Sequence, residues 1–192
     1  MEKIIKNSEK CIIKEDQNKI SKTYLDEESF KNECDVYKKL KDSDFMTKVI
    51  QIDENELTIT MEKIIEKNFF DYVLQNNKIP LNFLKELEKI RIAFLEKGFY
   101  DYGDFFKPEH IFISETNVEG YCKIKVIDFD KVSKIKDIEI YEMLKQKIKD
   151  DFNLLNSYEK IFINKFADYQ KIDFVANLSE FKISCVIEID TN

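Results

Sequence analysis

The chain has 192 residues, 43% of them hydrophobic and 36% charged, with 16 Phe and 9 Tyr but only 3 Gly and 2 Pro. That apolar content suffices for one folded domain, or two small lobes sharing a core, and excludes a disordered chain. The net charge of −7 excludes nucleic acid as the main partner, since no basic face is available to displace phosphate counterions.

Four cysteines, Cys11, Cys34, Cys122 and Cys185, are scattered without a C-x-x-C pair. The spacing excludes structural zinc and a disulfide framework and predicts reduced core thiols in a cytoplasmic protein. The first residues carry charges every few positions, and no window reaches the roughly 18 apolar residues of a membrane span, so no signal peptide or membrane span is expected.

In chain order, residues 4–6, 11–14 and 19–24 alternate apolar and polar and are separated by polar turns, which predicts three short antiparallel strands. A helix is expected over 27–41, with Phe30, Cys34, Val36, Tyr37 and Leu40 on one side. Residues 49–52 and 57–61, split by Asp53-Glu54-Asn55-Glu56, form a hairpin. Residues 1–62 therefore predict a five-stranded sheet with one helix inserted after the third strand.

From residue 63 the pattern turns helical. A short helix is expected over 68–75 and a longer one over 81–97, begun by Pro80 and stopped by Gly98. Strands are expected at 111–113 and up to Ile127, around a turn at 117–120. Two further helices are predicted, 138–150 and 152–170, and a terminal strand at 181–186.

The chemistry concentrates between Gly98 and Lys131. Asp104 sits on a polar turn, Lys107-Pro108-Glu109-His110 follows, and the second apolar strand ends in Asp128-Phe129-Asp130. One carboxylate leaving a turn and another ending a neighbouring strand, with His110 between them, can hold Mg²⁺ and a triphosphate near a hydroxyl nucleophile. Phosphoryl transfer needs little more than such positioning and charge neutralisation.

Across roughly residues 1–135 this order resembles the protein-kinase-like superfamily: α+β and two-lobed, with a small five-stranded antiparallel N-lobe (1–62) carrying one helix and a reduced, mainly helical C-lobe (63–192). The resemblance implies that Lys22, at the end of the third strand, contacts the α/β-phosphates and that Glu33, on the next helix, pairs with it. Residues 57–64 look like the fifth strand running into the hinge, which implies Met61 at the back of an adenine pocket and the Glu62 and Ile64 backbone along the base. The stretch from Asp104 to His110 is similar to the catalytic loop and Asp128-Phe129-Asp130 to the magnesium-binding turn. ATP and Mg²⁺ are the implied cofactors, and the partner is a hydroxyl-bearing acceptor, protein or small molecule. Asp104 is the implied base, with Asp101 as the alternative register. Lys107 is implied to stabilise the transferring phosphoryl, Asp128 to bind the metal, and His110 to be either a second metal ligand or a loop anchor.

Four departures set this chain apart. No glycine lies near the first two strands, so the turn Lys6-Asn7-Ser8-Glu9 must cover phosphates with its amides and a hydroxyl. His110 stands six residues after Asp104, where the usual pattern has Asn at five. Asp130 replaces the Gly of D-F-G, and no A-P-E follows. These features resemble RIO, lipopolysaccharide-core and aminoglycoside-type kinases. They leave two functional readings, a minimal atypical kinase and a nucleotide-binding pseudokinase or interaction module.

Overall fold

A computed structural model describes residues 2–76, 79–100 and 107–165, with side chains up to residue 154. Strands β1 (Lys3–Asn7), β2 (Cys11–Asp16), β3 (Lys19–Tyr24), β4 (Val49–Asp53) and β5 (Thr58–Glu62) form one antiparallel sheet, in the order β1-β2-β3-β5-β4. The period-2 alternation of β3 turns Lys22 and Tyr24 to the same buried side.

Helix α1 (Glu27–Leu40) is inserted between β3 and β4. It begins where the Asp26 carboxylate accepts from the Ser29 amide at 2.7 Å, which satisfies one of the unpaired first-turn donors. Its buried stripe is Phe30, Cys34, Val36, Tyr37 and Leu40, and one acid, Glu33, lies within that stripe at 1% exposure.

The remainder is mostly helical. The two-residue strand β6 (Lys67–Asn68) leads into α2 (Phe69–Asn76), and α3 (Phe83–Glu96) supplies Leu84, Leu87, Ile90 and Phe94 to the core. Phe69 stacks on Phe83 with centroids 4.1 Å apart, joining the two helices. After α3 come β7 (Phe99–Tyr100), a 3₁₀ turn (Pro108–His110), the hairpin β8 (Ile111–Glu115) and β9 (Cys122–Val126), β10 (Ser133–Lys134) and α4 (Ile138–Lys165). β6, β8 and β9 form a three-stranded sheet, and β7 pairs with β10. This is the α+β arrangement expected from the sequence.

Two expectations about the helices need correction. α3 begins at Phe83, after Pro80 and two turn residues, because Asn82 is bound to β9 instead of entering the helix. Its side-chain amide donates to Cys122 O at 2.9 Å, and its oxygen accepts from Cys122 N at 2.8 Å. The two C-terminal helices expected to break at 151 are a single helix, Ile138–Lys165. No Gly or Pro interrupts it, and Leu144, Ile148 and Phe152 continue one buried stripe at i, i+4, i+8. Asp151 is held within the helix by Arg91 at 3.7 Å and Lys147 at 3.5 Å. The expected strand at 181–186 lies outside the described residues. No described helix is long and apolar enough to cross a membrane.

Candidate active site

The five-stranded sheet and the β8–β9 hairpin enclose a cavity of about 350 Å³, within the size range of small-molecule sites. Its lining combines apolar side chains, Ile5, Ile13 and Ile20 of the sheet with Phe112 and Ile127 of the opposite side, and a charged group, Lys22, Glu33, His110 and Asp128. Met61, Glu62, Lys63 and Ile64 line the connection leaving β5.

Lys22 is the centre of the charged group. Its Nζ lies 2.7 Å from Glu33 Oε2 and 2.5 Å from Asp128 Oδ1. Three separate elements, β3, α1 and the segment after β9, thus converge on one ammonium. Burial opposes the Lys22 charge, but Glu33 and then Asp128 outweigh it and raise its pKa above the ordinary lysine value. For Asp128, burial pushes upward, yet the Lys22 charge and hydrogen bond, assisted by His110, hold the carboxyl below its usual range. Glu33 goes the other way. Its burial outweighs Lys22 and raises it. The Tyr24 ring underlies Lys22 at 4.9 Å, and its buried hydroxyl lies near Glu33 without meeting hydrogen-bond geometry.

Asp128 reaches this position through an unusual backbone. Its φ of +73° lies in the left-handed region, which Asp tolerates better than most residues. The turn is anchored by its neighbours. Ile127 N donates to His110 O at 3.2 Å, and Phe129 is fully buried between the rings of Tyr37 and Phe94, at 5.4 and 5.3 Å. His110 closes the 3₁₀ turn by donating its amide to Lys107 O at 2.9 Å, and its Nε2 lies 3.4 Å from Asp128 Oδ2. Pro108 at the first position of that turn has no amide to leave unpaired.

The structure therefore brings together Lys22, Glu33, His110 and Asp128, with Met61, Glu62 and Ile64 along the same cavity. Lys107 lies at the entry of the 3₁₀ turn. Asp104 and Asp101 lie outside the described residues. Along the hinge, Glu62 N donates to Lys48 O at 2.9 Å and its carbonyl accepts from Thr47 Oγ1 at 2.9 Å, leaving that oxygen one lone pair. The Ile64 amide has no protein partner among the described residues.

The sequence reading missed several lining residues. Tyr37 donates to Met61 Sδ at 3.5 Å and so ties α1 to the hinge. Glu15 of β2 pairs with Lys63 across the cavity lining, and that contact lowers the Glu15 carboxyl. The only available signal was periodicity, since Glu15 shares a strand face with Ile13.

This geometry can be compared with known proteins. Fully 93% of the chain superposes on Rio2 kinase from Chaetomium thermophilum, solved as an ADP/Mg²⁺-phosphoaspartate complex, with a TM-score of 0.53 and 15% identity. The fold is protein-kinase-like. WbdD, solved with a kinase inhibitor, also aligns over 93% of the chain, at a TM-score of 0.51 and 14% identity. The kinase-like chain spans 60% of the Rio2 structure and 44% of the WbdD structure. No family model matches the sequence, and no curated protein does.

Among the described residues no group of three or more His, Cys, Asp or Glu is arranged to enclose a metal. The donor set still suits Mg²⁺, which is commonly held by one or two carboxylates together with substrate phosphates and water. Asp128 offers such a carboxylate to the cavity.

Proposed function

We propose that the protein is a small Mg²⁺-dependent phosphotransferase that moves the γ-phosphoryl of ATP to a hydroxyl acceptor. The observation that carries this reading is the meeting of Lys22, Glu33 and Asp128 in a cavity that Ile13, Ile20, Met61 and Phe112 also line. A nucleotide calls for both, apolar side chains for its flat base and charged groups for its phosphates.

In this reading the base lies between Ile13, Ile20 and Phe112, and its edge faces the Ile64 amide and the Glu62 carbonyl. Met61 closes the back. Lys22, oriented by Glu33, neutralises the phosphates, and Asp128 would hold Mg²⁺. When bound, the metal would supply charge neutralisation for the transferring phosphoryl. His110 orients Asp128 from 3.4 Å, either alone or as a further ligand. Asp104, with Asp101 as the alternative, orients the acceptor hydroxyl and takes its proton, and Lys107 faces the transferring group. The acceptor is a protein side chain or a small molecule.

A second reading, nucleotide binding without efficient transfer, is favoured by the Lys22–Asp128 contact. It places the Lys22 charge on Oδ1 of Asp128, where it competes with a metal for that oxygen. Thermal-shift titration with Mg-ATP, followed by an assay for Mg²⁺-dependent phosphate release, separates the two. Stabilisation with turnover that Asp128→Ala abolishes is the expected result. Stabilisation without turnover favours the second reading. No shift with any nucleotide, or full turnover by purified Asp128→Ala, overturns the proposal.

A further inference from the structure

Kinase-like phosphate flaps bring backbone amides close to the phosphates through glycine, but this chain has no glycine before Gly98. The substitute expected from the sequence was the turn after β1, with its amides and the Ser8 hydroxyl. The turn uses those groups itself. Ser8 N donates to Cys11 O at 3.1 Å, Ser8 Oγ donates to the same oxygen at 3.1 Å, and Cys11 N donates to Ser8 Oγ at 3.2 Å.

The strand leading into that turn carries a compensating irregularity. The β1–β2 register shifts between Ile4, opposite Lys14, and Lys6, opposite Ile13, so Ile5 is an inserted residue. In a regular strand, Ile5 and Lys6 would point to opposite faces. A bulge places two residues of one strand against one of its partner and re-aims a side chain. Accordingly Ile5, Lys6 and Ile13 all line the cavity.

Charge gives Lys6 its significance. The cavity is lined by three lysines, Lys6, Lys22 and Lys63. Lys22 is shared between Glu33 and Asp128, and Lys63 is paired with Glu15. Among the described residues no carboxylate pairs with Lys6, which lines the same cavity as Asp128. A polyphosphate entering beside Glu33 and Asp128 needs a cation not already committed.

We propose that Lys6, aimed into the cleft by the β1 bulge, binds the phosphates of the nucleotide and replaces the backbone amides of a glycine flap. This rests on the nucleotide reading given above. It requires that the contact be charged, long and flexible, and that it contribute only when phosphates are present.

The test is calorimetric binding of Mg-ATP, Mg-ADP and adenosine to the full chain, as wild type, Lys6→Gln and Lys6→Arg. Lys6→Gln should weaken Mg-ATP about tenfold, as expected for loss of one charge-assisted hydrogen bond. Mg-ADP should weaken by an equal or smaller factor and adenosine should be unchanged. Lys6→Arg should restore most of the loss, and high salt should narrow the gap between wild type and Lys6→Gln. Mg-ATP binding by Lys6→Gln within twofold of wild type, or an equal loss for adenosine, overturns the role of Lys6. Failure of wild type to bind any of the three overturns the nucleotide reading itself, a separate result.

Discussion

Lys22 Nζ and Asp128 Oδ1 are 2.5 Å apart although 106 positions separate them in the chain. With Glu33 at 2.7 Å on the other side, one buried cation serves two carboxylates. Replacing it by Met should cost about 3 kcal/mol, because removing one partner of a buried pair leaves uncompensated charge. Glu33 can take up a proton and recover part of that loss. Urea unfolding of Lys22→Met measures the cost, and a loss below about 1 kcal/mol contradicts the buried pairing.

The same pair predicts a pH dependence. The Lys22 pKa is raised in the folded protein, so the stability it adds is fully present below the ordinary lysine value, about 10.4, and is lost as pH rises through the raised value. Groups remote from Lys22 cancel when wild type is compared with Lys22→Met, whereas Glu33 and Asp128 lose their partner and titrate differently in the two proteins at lower pH. Above about pH 10, where only Lys22 distinguishes them, the stability gap should shrink by up to about 1.4 kcal/mol per pH unit. Denaturant midpoints of both proteins across this range provide the check, and a gap that widens with pH refutes it.

At Asp128 the side chain and the backbone can be separated. Asp128→Asn and Asp128→Ala both remove the carboxylate, and both should lose Mg²⁺-dependent stabilisation by nucleotide. Asn tolerates the left-handed φ of +73°, whereas Ala pays about 1 kcal/mol for it. Without ligand, Asp128→Ala should therefore unfold at a lower urea concentration than Asp128→Asn. Equal midpoints would show that the turn relaxes.

Phe129 holds this turn from below. It is fully buried against Tyr37 of α1 and Phe94 of α3, so it joins the sheet-and-helix unit to the helical one. Phe129→Ala should cost about 3–5 kcal/mol, the usual range for an aromatic cavity. Phe129→Leu should retain most of the stability while loosening Asp128, visible as weaker nucleotide binding. Nucleotide affinity unchanged in Phe129→Leu counts against the anchoring role.

Much of the site was legible in the sequence, for a local reason. Lys22 and Glu33 are charges placed on otherwise apolar faces, Lys22 with Tyr24 on a strand and Glu33 among Phe30, Cys34 and Tyr37 on a helix. Charges rarely occupy such positions unless paired. Asp128 follows an apolar strand and precedes a buried Phe, and the Pro108 turn before β8 is written in its residues. The boundary of α3 was not legible, because Asn82 is tied to Cys122 forty positions away. The continuity of α4, by contrast, was legible in the unbroken Leu144, Ile148 and Phe152 spacing, and Asp150-Asp151 does not break it.

Short-range physics thus sufficed for the strand and helix order, the kinase-like succession of motifs and the candidate charges. Periodicity and turn chemistry act over a few residues and leave their trace in the chain itself. Tertiary structure decided which charges meet, that Lys22 is shared by Glu33 and Asp128, and that a bulge turns Lys6 inward while Ser8 closes its own turn. Those outcomes depend on strand register and on packing between distant segments, and no local pattern encodes either.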